Sequence, residues 1–394
     1  MCWRLTQRRA TAPAPPRRTS PLFESPPFWM YFVGFLLLLG PLVTVHELGH
    51  YLVGRWFGVK AEAFSVGFGK EIAGRTDKHG TRWKLSALPL GGYVQFKGDM
   101  NPASVPDPDA PAETGSFQSA SLWKRALIVA AGPVTNLVVA IAILAALFSI
   151  YGQRVVANPE SSTEIGGFSE TSVAQASGME VGDRIIAIDG QKVETFDDIV
   201  REIALYPGRE MTIVAERSGD EMAFDVTAAR VTEEDGFGNS HTVGRIGVAP
   251  AALEYDFQPV SILKAIPLAT WQCWDMTKMM VTGIKQILFG DRSIKELGGP
   301  IKIAKFSGER LSLGLTEFVF FAALISLNLA FINFLPIPAL DGGHLAFYAA
   351  EAIRRKPVGP QATEWAYRTG IAIVLAFMVV VTVNDVVSLP IFGS

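Results

Sequence analysis

The sequence has 394 residues, of which 49% are hydrophobic and only 19% charged, with a mean hydropathy of +0.27. That is too apolar for an ordinary water-soluble chain and points to segments solvated by lipid. A formal net charge of -3 gives no reason to expect nucleic-acid binding, and the two distant cysteines, Cys2 and Cys273, exclude a disulfide scaffold or a thiolate-held zinc.

Residues 1–26 are rich in Pro, Arg, Ser and Thr and read as disordered. Phe28 to Val45 is almost uninterruptedly apolar, with Pro41 its only strong breaker, and reaches the length of about 20 residues that a spanning helix needs. Ala126 to Ile150 reads as a second span, Phe318 to Leu335 as a third and Ile371 to Val387 as a fourth. From about Asn158 to Pro250 charges return, apolar positions alternate and Gly-Asp turns occur, as in a water-soluble domain. Between Tyr255 and Gly290, Trp271 and Trp274 lie among Lys264, Lys278 and Lys285, which predicts a helix at headgroup level, so residues 255–315 read as an interfacial helix and a connector. The expected fold is a multi-span α-helical membrane protein with about four transmembrane helices. Membrane halves at residues 27–150 and 316–394 flank an inserted α+β domain at residues 158–250.

Lys and Arg set the orientation. Arg55, Lys60, Lys70, Arg75, Lys78, Arg82, Lys84, Lys97, Lys124 and Arg125 follow the first span, and Arg354, Arg355 and Lys356 separate the last two. Both connections are therefore expected in the cytoplasm and the soluble domain outside it. Arg4, Arg8, Arg9, Arg17 and Arg18 oppose this orientation unless translation starts at Met30 and residues 1–29 are a mis-assigned extension. A signal peptide is the weaker reading, because no small-residue cleavage site precedes His46.

The string His46-Glu47-Leu48-Gly49-His50 directly continues the first span. Positions four apart share a helix face, so both imidazoles can hold one metal with Glu47 beside it. Zinc suits such ligands, and Glu47 is placed to take a proton from an activated water. A structural His/Glu cluster is the bland alternative, but ionisable groups at membrane depth cost about 2.5–3.5 kcal/mol each and usually mark function. A catalytic zinc needs a third protein ligand. His79 lies in a charged loop and His241 in the external domain, which leaves the segment Asn333-Phe334-Leu335-Pro336-Ile337-Pro338-Ala339-Leu340-Asp341-Gly342-Gly343-His344. Asp341 reads either as that ligand or as a helix cap before Leu345, with His344 as a rival ligand.

HELGH in a first span together with N-x-x-P-x-P-x-x-D-G-G in a later one resembles the site-2 protease family of intramembrane metalloproteases. Its bacterial branch that cleaves anti-sigma factors, the RseP type, is the nearest likeness. The resemblance covers nearly the whole chain after Met30. Gly132-Pro133-Val134-Thr135-Asn136 is similar to the family's second-span motif, and Leu297-Gly298-Gly299-Pro300 to the motif before its third span. It implies His46, His50 and Asp341 as zinc ligands, Glu47 as general base and Asn333 as a substrate-positioning residue. It further implies a bacterial inner-membrane location and a single-pass transmembrane substrate of the anti-sigma-factor kind. Gly91-Gly92-Tyr93-Val94 resembles the family's membrane-associated hairpin, whose edge could accept an unwound substrate as an added strand; an ordinary turn is the alternative.

Ser172 to Met179, followed by Val181-Gly182-Asp183-Arg184-Ile185-Ile186-Ala187-Ile188-Asp189-Gly190, looks like the central helix and next strand of a PDZ domain. Its order is permuted, because Gly244-Arg245-Ile246-Gly247-Val248, similar to the carboxylate-binding loop and strand, comes last. Ile246, Gly247 and Val248 are the expected contacts for a peptide terminus, and a purely steric filter is the competing role. RseP-type proteins carry tandem PDZ domains, and a single one here puts any two-domain sieve in doubt. A catalytically inert membrane PDZ adaptor is the main rival function, and the intact Glu47 with its ligand set weighs against it. A transporter is the other rival, but HExxH predicts no transport path.

Overall fold

The computed structural model describes residues 26–98, 113–156, 163–234, 240–251, 255–289, 298–356 and 360–387. The disorder expected for residues 1–26 falls outside them except at Pro26, as do Cys2 and Leu297. Helix α1 (Phe28–Trp56) runs well past the expected end at Val45, so HELGH lies inside it. Pro41 does not end the helix. Proline is tolerated in bundled spans because neighbouring groups re-satisfy the backbone bond it removes.

Strands β1 (Ala61–Thr76) and β2 (Arg82–Phe96) follow. Residues 61–66 pair with residues 92–96, and residues 63–66 also face residues 82–85, which pair in turn with residues 73–76. Two long strands thus bend into one small sheet with residues 92–96 along an edge. Gly67 makes the bend: its φ is +91°, and a Cβ there would lie 2.7 Å from the Leu88 carbonyl oxygen. Gly91 to Val94 therefore lie inside a strand, and the turn reading of that segment is wrong. Tyr51, Phe64, Val94 and Phe96 join Ile128 in a core beneath this sheet.

Helix α2 (Leu122–Tyr151) leads to β3 (Gln153–Val156) and so into the inserted domain. This contains β4 (Ile165–Phe168), α3 (Val173–Ala176), β5 (Arg184–Ile188), β6 (Gln191–Lys192), α4 (Phe196–Ala204), β7 (Glu210–Arg217), β8 (Asp220–Thr227), β9 (Ala229–Glu234), β10 (Ser240–Arg245) and β11 (Val248–Pro250). A four-stranded sheet of order β6-β5-β7-β8 is flanked by the pairs β9–β10 and β4–β11. Its core gathers Ile165, Ile185, Ile213, Phe224 and Ile246 with Ile199 and Ile203 of α4. Thr195 and Asp198 form a reciprocal capping box that starts α4. Strand β12 (Tyr255–Gln258) pairs with β3 and closes the neck of the domain.

Helix α5 (Ile262–Phe289) is the helix expected at headgroup level. Trp271 and Trp274 stay exposed, while Ala265, Ala269 and Cys273 pack against Ala140, Leu144 and Ala145 of α2. Small residues on both sides permit this close approach. Arg201 of α4 pairs with Asp275 at 2.6 Å, tying the inserted domain to α5. Helix α6 (Pro300–Leu313) crosses α1 where Ser307 and Gly308 meet Gly34. Helices α7 (Leu315–Phe334), α8 (Asp341–Arg354) and α9 (Pro360–Val387) complete the chain. Asp385 of α9 accepts the backbone N–H groups of Gly299, Ile301 and Lys302 at 3.0–3.1 Å, completing the positive end of α6. Among the described residues, four helical segments are long and apolar enough to cross a membrane: Phe28–Trp56, Leu122–Tyr151, Leu315–Phe334 and Arg368–Val387.

Within the inserted domain, Asp183 is 1% exposed and accepts two bonds from Arg217, at 2.6 and 2.7 Å. The guanidinium holds its carboxyl below the usual range, against the upward push of burial. The resulting stability is complete above the ordinary aspartate pKa of about 3.9 and is lost as pH falls through the lowered native value. Arg217→Leu should destabilise the domain at neutral pH, because it strands a buried carboxylate. Hydrogen exchange across residues 163–251 of the detergent-solubilised protein checks this, and unchanged protection would contradict it.

Candidate metal centre

His46 and His50 lie one turn apart on α1, with their Nε2 atoms 3.2 Å from each other. Asp341 completes the group: its Oδ2 is 3.2 Å from His46 Nε2 and its Oδ1 3.6 Å from His50 Nε2. Tetrahedral zinc with bonds of about 2.0–2.1 Å would set its donors roughly 3.3 Å apart, so the spacing fits. Asp341 Oδ2 is buried and makes no hydrogen bond, although a buried carboxylate oxygen normally needs a partner. His50 Nδ1 lies 2.8 Å from the Ile128 carbonyl, which can only accept. That contact fixes the proton on Nδ1 and leaves the Nε2 lone pair facing the other donors.

Asp341 reaches this position through a break between helices. Helix α7 ends at Phe334, and Pro336 and Pro338 prevent its continuation. Ala339 takes a φ of +85°, a strained value for a residue with a side chain. Helix α8 then begins at Asp341, with Leu340 in the capping position and no side-chain cap bond. The cap reading of Asp341 thus fails, and its carboxylate is free to face the histidines. His344, one turn further on, is buried in the same cavity but stands outside the trio of ligand atoms, which all lie within 4.8 Å of one another. His79 and His241 are exposed, as expected.

Helix α2 lies directly behind the two rings. A Cβ at Gly132 would strike the His50 ring and lie 2.8 Å from His46 Cε1, so only glycine lets the helices approach this closely. Ile128, Gly132 and Asn136 are spaced four apart and line one face. The structure adds Ile128 and Gly132 to the site; their helical spacing in a second apolar span was the available signal.

A cavity of about 460 Å³ opens beside the trio. Glu47, Gly92, Tyr93, Val94 and Asn333 line it together with His46, His50 and Asp341. Glu47 lies against the edge strand: a Cβ built at Gly92 would sit 3.4 Å from Glu47 Cγ. Ile246, Gly247 and Val248 are not among the lining residues; they lie in the inserted domain, where the Ile246 side chain is part of the core. The carbonyl of Ile246 is already engaged by Ala174 and Ser172, and that of Gly247 by Ser169.

The sequence profile of Peptidase family M50 matches residues 34–377. A protein of Agrobacterium fabrum named as a zinc metalloprotease is 42% identical over 369 residues, spanning 91% of this chain and 96% of its own length. A similarly named protein of Rhizobium meliloti is 44% identical over 360 residues, spanning 89% and 95%. The metalloprotease MmpA of Caulobacter vibrioides is 34% identical over 388 residues, spanning 91% and 96%.

Purified protein should carry about one zinc per chain, as a mononuclear site requires. His46→Ala should lose it, and Gly132→Ala should weaken binding by about 10- to 100-fold through displacement of the rings. Metal analysis after gel filtration in detergent checks both; zinc retained in full by His46→Ala would contradict the site.

Proposed function

The chain belongs to peptidase family M50 and is a zinc metalloprotease, and from that membership we propose that it cuts single-pass membrane proteins within their transmembrane segments. The observation that carries the proposal is the position of the trio. His46, Glu47 and His50 lie inside an apolar helix long enough to span a membrane, and the cavity beside them is bordered by a strand edge. In this reading His46, His50 and Asp341 hold zinc, which when bound polarises a carbonyl and acidifies water. Glu47 accepts the water proton and returns it to the leaving nitrogen. A substrate helix hides its carbonyls in internal hydrogen bonds, so it must unwind before it can be cut. Residues 92–96 offer an edge on which the unwound segment is held as an added strand, with Asn333 across the cavity positioning it.

In this proposal the protein lies in a bacterial inner membrane, with the cavity towards the cytoplasmic half and the inserted domain in the periplasm. The Lys/Arg asymmetry supports that orientation. The RseP-type resemblance supports an anti-sigma-factor-like substrate. In the inserted domain, β11 pairs with β4, and Gly244 before it packs against Ile203 and Tyr206 at the end of α4. These contacts suit a permuted PDZ-like domain that restrains or selects substrates, either by size or by adding a peptide terminus to β11. Among the described residues it supplies no metal-capable cluster, which supports a role in selection.

Glu47→Gln should keep its zinc and lose about 10²- to 10⁴-fold in cleavage rate, the usual contribution of a general base. Mass spectrometry of the products from a single-pass substrate in proteoliposomes should place the cut within the apolar segment. Undiminished cleavage by the variant, or cuts confined to soluble regions, would sink the proposal.

A further inference from the structure

The second-span motif Gly132-Pro133-Val134-Thr135-Asn136 ends in a buried asparagine. Asn136 is 1% exposed, in the centre of the bundle, and its amide nitrogen lies 3.2 Å from His46 Nδ1. Its amide oxygen, Oδ1, is buried without any hydrogen-bond partner. The main chain beneath it is fixed, because Ser326 of α7 donates its hydroxyl to the Asn136 carbonyl at 2.8 Å.

A half-turn of the amide exchanges its oxygen and nitrogen. With nitrogen towards the ring, His46 Nδ1 must accept, which puts the ring proton on Nε2 and spoils that atom as a ligand. With oxygen towards the ring, Nδ1 donates and Nε2 keeps its lone pair. The second arrangement matches His50, whose Nδ1 faces the Ile128 carbonyl. It also gives Oδ1 the partner it lacks.

We infer that Asn136 is a positioning residue for the metal centre, accepting the Nδ1 proton of His46 through its side-chain oxygen and so fixing the tautomer and tilt of that ligand. The inference rests on the zinc-site reading above. One face of α2 then orients both imidazoles, through the main chain at Ile128 and through a side chain at Asn136. Outer partners of this kind are worth about 10- to 100-fold in metal affinity.

The test uses the full-length chain in detergent, stripped of metal and titrated with Co²⁺, and with Zn²⁺ against a chromophoric chelator. Asn136→Leu should bind about 10- to 100-fold more weakly and shift the Co²⁺ absorption bands. Asn136→Asp separates the two amide orientations even if the leucine variant fails to fold. A carboxylate can only accept, so the inference expects affinity at least equal to that of the unmodified chain. Weaker binding by Asn136→Asp would overturn it, as would unchanged affinity and spectrum in a folded Asn136→Leu protein. His46→Ala serves as the reference. If it binds both metals normally, the zinc-site reading falls and the inference falls with it; if it does not bind, the Asn136 variants decide alone.

Discussion

Two imidazole nitrogens 3.2 Å apart and a carboxylate whose two oxygens lie 3.2 and 3.6 Å from them, largely buried, form the contact around which the membrane part is arranged. A lone pair that faces another lone pair in an apolar setting is unfavourable, and a buried carboxylate without donors more so. A doubly charged metal ion at their centre removes both penalties, which is why such a cluster persists in a span that lipid would otherwise favour as wholly apolar. The surrounding architecture follows from that requirement. The ligands come from both ends of the chain, and α2 has to lie close enough to orient the rings.

Two local departures from regular structure serve this arrangement. At Gly132 a side chain is absent so that α2 can press against the histidines. At Leu335 to Leu340 the helix is broken, so that Asp341 opens a new helix with its carboxylate turned inwards. The break is tolerable at depth because its backbone is partly satisfied: Ile337 N–H donates to Leu335 and Leu340 N–H to Ile337, at 2.7 and 3.0 Å. Gly342 and Gly343 then let α8 fold back onto that loop, where a Cβ would collide with the Phe334 and Ile337 carbonyl groups. The paired glycines after Asp341 therefore have a packing reason independent of the chemistry.

Much of this was legible in the sequence because its signals are local. HELGH needs only helical spacing, and continuous apolar runs mark spans irrespective of their neighbours. Where the reading fell short, the missing information was tertiary. Pro41 looked like a breaker, but the bundle carries α1 through it to Trp56. Gly91-Gly92 looked compatible with a turn, whereas the doubled register of β1 and β2 makes it part of an edge strand. From spacing Asp341 could serve as ligand or as cap, since a carboxylate before an apolar helix suits either role; in the structure Leu340 holds the capping position and Asp341 opens the helix. The contribution of α2 behind the rings was harder to read, because nothing in residues 128–136 is ionisable and only helical spacing and the Gly132 to Asn136 motif marked it.

The inserted domain is joined to the membrane part by the β3–β12 neck and by the Arg201–Asp275 pair on α5, which itself packs along α2. A load on that domain can thus bear on the helix behind His46 and His50, although among the described residues the domain supplies no group to the candidate metal site. The centre itself is most directly examined by zinc-edge X-ray absorption on the purified protein. The account predicts only nitrogen and oxygen neighbours at about 2.0–2.2 Å, with outer-shell scattering from two imidazoles. A sulfur neighbour near 2.3 Å, or scattering from fewer than two imidazoles, would contradict it.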